Sequence, residues 1–122
     1  MENKDYTVEI LEIIRSNTSP GIMRNRLEDY HANDLAEVFP QLKVSERRKI
    51  CRILDLDMLS DIFEHIDEQE AAEYLDEMDI KKAAAILSAM ETDAVVDVLQ
   101  MIPREKKNVL IELMDDDARK DM

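Results

Sequence analysis

Stepping through the chain by twelve residues from His31 writes it out as seven aligned blocks. No other feature constrains the fold as tightly. The blocks read "HANDLAEVFPQL", "KVSERRKICRIL", "DLDMLSDIFEHI", "DEQEAAEYLDEM", "DIKKAAAILSAM", "ETDAVVDVLQMI" and "PREKKNVLIELM", with no gap between them. The eighth residue of each is Val38, Ile50, Ile62, Tyr74, Ile86, Val98 and Leu110. The ninth is Phe39, Cys51, Phe63, Leu75, Leu87, Leu99 and Ile111, and the last is Leu42, Leu54, Ile66, Met78, Met90, Ile102 and Met114. All three columns are apolar throughout. Their spacing, i, i+1 and i+4, puts them on one face of a helix, whereas a strand would send neighbours to opposite faces. A new start every twelve residues leaves room for about nine or ten helical residues and a short turn. Isolated helices below roughly 12–15 residues are marginal in water, so these must stack on one another. Antiparallel neighbours joined by tight turns stack as an α-solenoid, with two blocks, about 24 residues, as the structural repeat. The predicted fold is all-α: one domain over residues 1–122, a right-handed superhelix of about nine or ten short helices.

Start and stop signals refine this. Asn33 before "DLAEVF", Ser45 before "ERRK" and Thr92 before "DAVV" are expected caps, and Asp67 with Glu70 reads as a capping box. Upstream, "DYTVEILEIIRS" (5–16) predicts a first helix with Val8, Leu11 and either Ile14 or Tyr6 turned inward. Ser19 is expected to cap a second helix with Pro20 at its first position, where a missing N–H costs nothing. Pro40 falls late in its block, where it should bend or end a helix. "DDDARKDM" opens an eighth block and predicts one more helix, with chain continuing past it.

One glycine, three prolines and no tryptophan agree with a helical chain and leave no material for a turn-rich sheet protein. The same scarcity of glycine removes phosphate-cradling loops and nucleophile elbows, so no catalytic or cofactor-binding residues are assigned and an enzyme is not expected. Cys51 is the only cysteine; it excludes an internal disulfide, suits a reducing compartment and sits in an apolar column. Met78, Met90 and Met114 likewise read as core. His31 and His65 have no second ligand at zinc spacing and read as structural or surface residues. "MENKDYTVEI" is too charged for a signal peptide, and no run of about 18 apolar residues could cross a bilayer, so a soluble chain with no direct membrane insertion is expected.

The net charge of −13 argues against nucleic acid, whose binding depends on neutralising phosphates, and favours cations and basic proteins as partners. That charge is concentrated. Residues 55–79 hold eleven acids and no lysine or arginine, seven of them in "DEQEAAEYLDEMD", and the nearest bases are Arg52 and Lys81. A solvated helix face is the ordinary meaning of such a run. It has a cost, however: Asp57 with Asp61, Glu73 with Glu77, and Asp93 with Asp97 are like charges at i, i+4, each unfavourable by a few tenths of a kcal/mol. Clustered carboxylates suit a hard, oxygen-seeking dication. No calcium loop with its obligatory glycine is present, so any site must be assembled from separate helices or separate domains.

"YHANDLAEVF", "EQEAAEYLDEM" and "AAAILSAM" resemble the cytoplasmic N-terminal domain of the MgtE-type magnesium transporters, over about residues 5–118. The family's usual form is "HPxDLAxxL" followed by units of the type "xxxAAExLxxM"; here Ala32 stands where proline is common. The middle part of the flagellar switch protein FliG shares the helical-repeat pattern, and a protein-interaction scaffold of that kind is the alternative. The MgtE resemblance implies a superhelix followed by paired CBS domains and a membrane channel of five spans, working as a homodimer at the cytoplasmic face of the cell membrane. It implies that Mg2+ bridges this domain to CBS domains of the same or a neighbouring subunit and closes the pore. Residue by residue, it carries over Asp61 in "MLSDIF" and Asp93 and Asp97 in "TDAVVDV" as metal-contacting acids. The CBS ligands lie outside this chain, so Mg2+ binding by the chain alone is expected to be weak.

Overall fold

The computed structural model describes residues 5–114. Among them run nine α-helices and no strand: α1 (Thr7–Arg15), α2 (Pro20–Leu27), α3 (Ala32–Val38), α4 (Val44–Ile53), α5 (Leu56–Glu64), α6 (Glu68–Glu77), α7 (Ile80–Ala89), α8 (Thr92–Leu99) and α9 (Arg104–Leu113). A 3₁₀ turn, Phe39–Gln41, carries Pro40 and ends α3, as that proline's place in the block predicts. The helix expected from "DDDARKDM" lies outside the described residues.

The twelve-residue beat is kept to the residue. His31, Lys43, Asp67, Asp79, Glu91 and Pro103, each the first residue of a block, are the N-caps of α3, α4, α6, α7, α8 and α9. Ser19, one period upstream of His31, caps α2 with Pro20 at its first position. Three expected caps are corrected. Asn33 and Ser45 lie inside α3 and α4, and Thr92 is the first residue of α8. Most of the residues that do cap, including His31, Lys43, Glu91 and Pro103, form no side-chain cap bond. Burial of the apolar columns sets the starts here, and it overrides the modest preference of a hydroxyl or amide for the cap.

The stops explain how one glycine suffices. Helices often end on a left-handed residue, usually glycine. No described residue has a positive φ. Instead the twelfth residue of the block ends the helix in extended conformation: Leu42, Leu54, Met78, Met90 and Met114 all have ψ between 148° and 170°. Four of these five side chains are buried, and Met78 is half-buried. One apolar residue thus closes the helix and anchors the turn.

Nineteen of the twenty-one column residues are buried, with only Met78 and Ile111 half-exposed. A fourth column was missed in the sequence. The fifth residues Leu35, Leu59, Ala71, Ala83 and Val95 are buried as well, completing an i, i+3, i+4, i+7 stripe. Arg47 and Lys107 interrupt that column, which hid it. In α1 the inward residues are Ile10 and Ile14; the expected Val8 is 65% exposed and Leu11 half-buried. The correction has a simple cause. Ile10 and Ile14 lie one turn apart, and turning them inward leaves Val8 on the other side.

The chain divides into two compact units, residues 1–55 and 56–122. In the first, α1 packs on α3 and α2 on α4; in the second, α5 packs on α7, α7 on α9 and α6 on α8. Every second helix stacking on its predecessor is the two-row arrangement that the repeat predicts.

In the first unit a charged clasp joins α1 to α4. Arg15 Nε donates to Glu46 Oε2 at 2.8 Å and its second amino group to Oε1 at 3.3 Å, while the Lys43 N–H donates to Oε1 at 2.9 Å. The guanidinium, and next the Lys43 amide, hold the Glu46 carboxyl down at about 2 from its ordinary 4.5. A carboxylate depressed in the folded state contributes stability above its unfolded pKa and loses it as pH falls toward the folded one. The urea midpoint of the unaltered protein should therefore exceed that of Glu46→Gln at pH 6, with the gap closing between about pH 4.5 and 2. A gap that stays constant through that range would contradict the clasp.

Candidate functional site: the acidic face of the second unit

All eleven acids of 55–79 but Asp55 lie in the second unit. Several of them serve the fold. Asp67 caps α6 by accepting from the Gln69 N–H at 3.2 Å, and Asp79 caps α7 by accepting from Lys81 and Lys82 N–H at 3.1 and 3.3 Å. Carboxylates at those positions also meet the positive end of the helix dipole. Asp76 pairs with Lys106 of α9. Glu64, at the end of α5, accepts from the Glu91 N–H at 3.2 Å and so satisfies an otherwise unpaired amide at the start of α8. The segment that looked like unbalanced charge is thus partly structural. Neither long-range partner was legible in the sequence, because each bond spans about thirty residues and only the stacking brings its ends together.

Asp61, Asp93 and Asp97 are all exposed. Asp61 lies on α5, where its backbone carbonyl faces His65 Nδ1 at 2.8 Å. Asp93 and Asp97 lie one turn apart on the same face of α8. The Glu64 link ties the start of α8 to the end of α5. Among the described residues, no ion pair involves any of the three candidates. Sequence reasoning missed Glu64 as a link between the two acid-bearing helices. Its only signal is an acid three residues after Asp61.

The donor set consists of carboxylate oxygens in water, which suits Mg2+: that ion keeps several waters and takes one or two carboxylates. Among the described residues there is no group of three or more potential ligands that could hold a metal. His31 and His65 are exposed, and Cys51 is buried in the core of the first unit. No helix among the described residues is long and apolar enough to cross a membrane.

One electrostatic detail distinguishes Asp97 from Asp93. Asp93 is in the first turn of α8, where the helix dipole favours it, whereas Asp97 is in the last turn, where the dipole opposes an anion. Asp97 is also one turn from Asp93 and repels it. Asp97→Asn is expected to stabilise the isolated chain by roughly 0.3–0.8 kcal/mol, read as a raised urea midpoint. A lowered midpoint would show that Asp97 has a favourable partner in the folded chain.

The chain has recognisable relatives. A solved structure of the soluble part of a magnesium transporter superposes with a TM-score of 0.84 at 26% identity, covering 94% of this chain and 45% of that one. Another, the cytosolic domain of the Mg2+ channel MgtE in complex with ATP, superposes with a TM-score of 0.79 at 25% identity, covering 93% of this chain and 47% of that one. The chain therefore spans about half the length of the structures it matches. No curated protein sequence matches it. The family model of the MgtE intracellular N domain matches residues 30–122, and with three-quarters of its length inside that match the chain belongs to the MgtE N-domain family.

Proposed function

We propose that this domain is the magnesium-sensing regulatory part of a magnesium transporter and that it acts from the cytoplasmic face of the membrane. Asp61, Asp93 and Asp97 supply carboxylates, directly or through water, to Mg2+ ions whose remaining ligands belong to CBS domains of the same or a neighbouring subunit in a homodimer. At low Mg2+ two anionic surfaces repel one another and the cytosolic parts stand apart. At high Mg2+ bound ions cancel the repulsion and hold the compact state in which the pore is closed. Such an ion biases a two-state equilibrium because only one of the states contains the full site.

The observation that carries this reading is the pair Asp93 and Asp97. Their placement at i, i+4 on an exposed helix face works against stability, and the family relationship gives that cost a purpose. Titrating Mg2+ onto the isolated chain tests this. Binding should be in the millimolar range, and stabilisation at a concentration equal to the dissociation constant should be only about 0.4 kcal/mol. Tight stoichiometric binding by the chain alone would mean that a complete site exists within it.

A further inference from the structure

A second feature of the acidic unit has no part in the proposed metal chemistry. An open groove of about 200 Å³ runs between α6, the α8–α9 turn and α9. Its floor is apolar: Ala72 and Leu75 from α6, Ile102 from the turn and Leu110 from α9, all buried. Met101, at its mouth, is 44% exposed. Gln69, Glu73 and Asp76 form the α6 rim, and Lys106 on the opposite rim is already occupied by its pair with Asp76. Asp61, Asp93 and Asp97 do not line it.

Size and shape select among occupants. Small-molecule sites usually enclose about 300–1,000 Å³ and bury most of the ligand. A groove that is smaller and open along one side fits the side chains of a partner segment instead. Helix-in-groove recognition places apolar anchors at i and i+4 into such a trough while the rims meet the flanking charges. Exposed methionine adapts to anchors of differing shape. Rim charge then sets the sign of the partner. Of the charged residues that line the groove, Asp76 and Lys106 neutralise one another within the rim, and Glu73 faces solvent as the remaining charge. We infer that this groove docks a cationic amphipathic helix, one that inserts aliphatic side chains against Leu75 and Met101 and sets lysine or arginine beside Glu73. This goes beyond the magnesium reading and does not depend on it.

The probe is a synthetic helical peptide with leucine at i, i+4 spacing and lysine on the flanking positions, titrated onto the 122-residue chain with chelator present. A matched peptide carries glutamine for lysine. The lysine peptide should bind, and Met101→Lys and Glu73→Lys should each weaken it by about tenfold. Both residues are exposed, so thermal unfolding should show both variants folded. Asp57→Lys makes the same change of charge on α5, outside the groove, and should weaken binding less than about threefold. Equal loss in Asp57→Lys would reduce the effect to a diffuse field. Equal binding of the glutamine peptide would reduce it to apolar adhesion, and no binding of the lysine peptide would leave the groove without this function. Any of the three overturns the inference.

Discussion

Replacing Phe63 with alanine is expected to cost about 3–5 kcal/mol and to lower the melting temperature of the second unit by roughly 12–40 °C. Phe63 fills the ninth position of its block on α5 and is 1% exposed. α5 packs on α7, whose Ile86 and Leu87 hold the same two columns one stacked layer on, and both are fully buried. Cutting the ring back to a methyl group leaves a cavity that these neighbours can close only by breaking the register of the stack, because each short helix depends on the next for its burial. Net stabilities of 5–15 kcal/mol leave little margin for such a loss. Val96→Ala on α8 is the control: the residue is 37% exposed and lies outside the buried columns, so its cost should stay below about 1 kcal/mol. Similar costs for the two variants would mean that the twelve-residue columns do not build the core.

In a full-length transporter carrying this domain, Asp93→Ala with Asp97→Ala is expected to leave the pore substantially open at Mg2+ concentrations that close the unaltered protein. The size follows from linkage. An ion that binds only the compact state, at ten times its dissociation constant, contributes about 1.4 kcal/mol, which is a tenfold change in the closed-to-open ratio. Two ions lost would compound to roughly a hundredfold at the same ratio. Both residues are exposed, so their removal should leave the fold intact and the isolated chain no less stable. Electrophysiological recording or metal-uptake assays across a Mg2+ series read the effect as a shift to higher concentration for closure. An unchanged closing concentration would remove α8 from the sensing surface.

The helical layout was legible because each twelve-residue block repeats the same burial problem. Val38, Ile50 and Ile62 through Leu110 hold one column in every block, and such a column survives any exchange of surface residues around it. Cap chemistry was a poorer guide. Asn33, Ser45 and Thr92 have the right side chains, but the block boundary, set by the extended twelfth residue, puts the helix starts elsewhere. Val8 misled for a related reason: α1 lies before the first full block, where no column fixes the phase of the helix.

The site was legible only in part. The concentration of charge in 55–79 is plain from counting, yet Asp76 with Lys106 and Glu64 with the Glu91 amide are contacts that stacking alone creates. The i, i+4 repulsion of Asp93 and Asp97 could be read directly, but the purpose proposed for it rests on family resemblance, since half of a metal site would have no spacing signature of its own. The groove beneath Glu73 left no trace in the sequence at all. Three of its four floor residues, Leu75, Ile102 and Leu110, are column residues and read in the sequence as ordinary core.

In the proposed mechanism Mg2+ draws two acidic bodies together. Its most direct test is small-angle scattering from the complete cytosolic part of such a transporter, recorded in millimolar Mg2+ and again after chelation at the same ionic strength. The radius of gyration should be smaller with Mg2+ and expand clearly once the ion is removed, with Asp93→Ala, Asp97→Ala expanded in both conditions. An unchanged radius across chelation would contradict it.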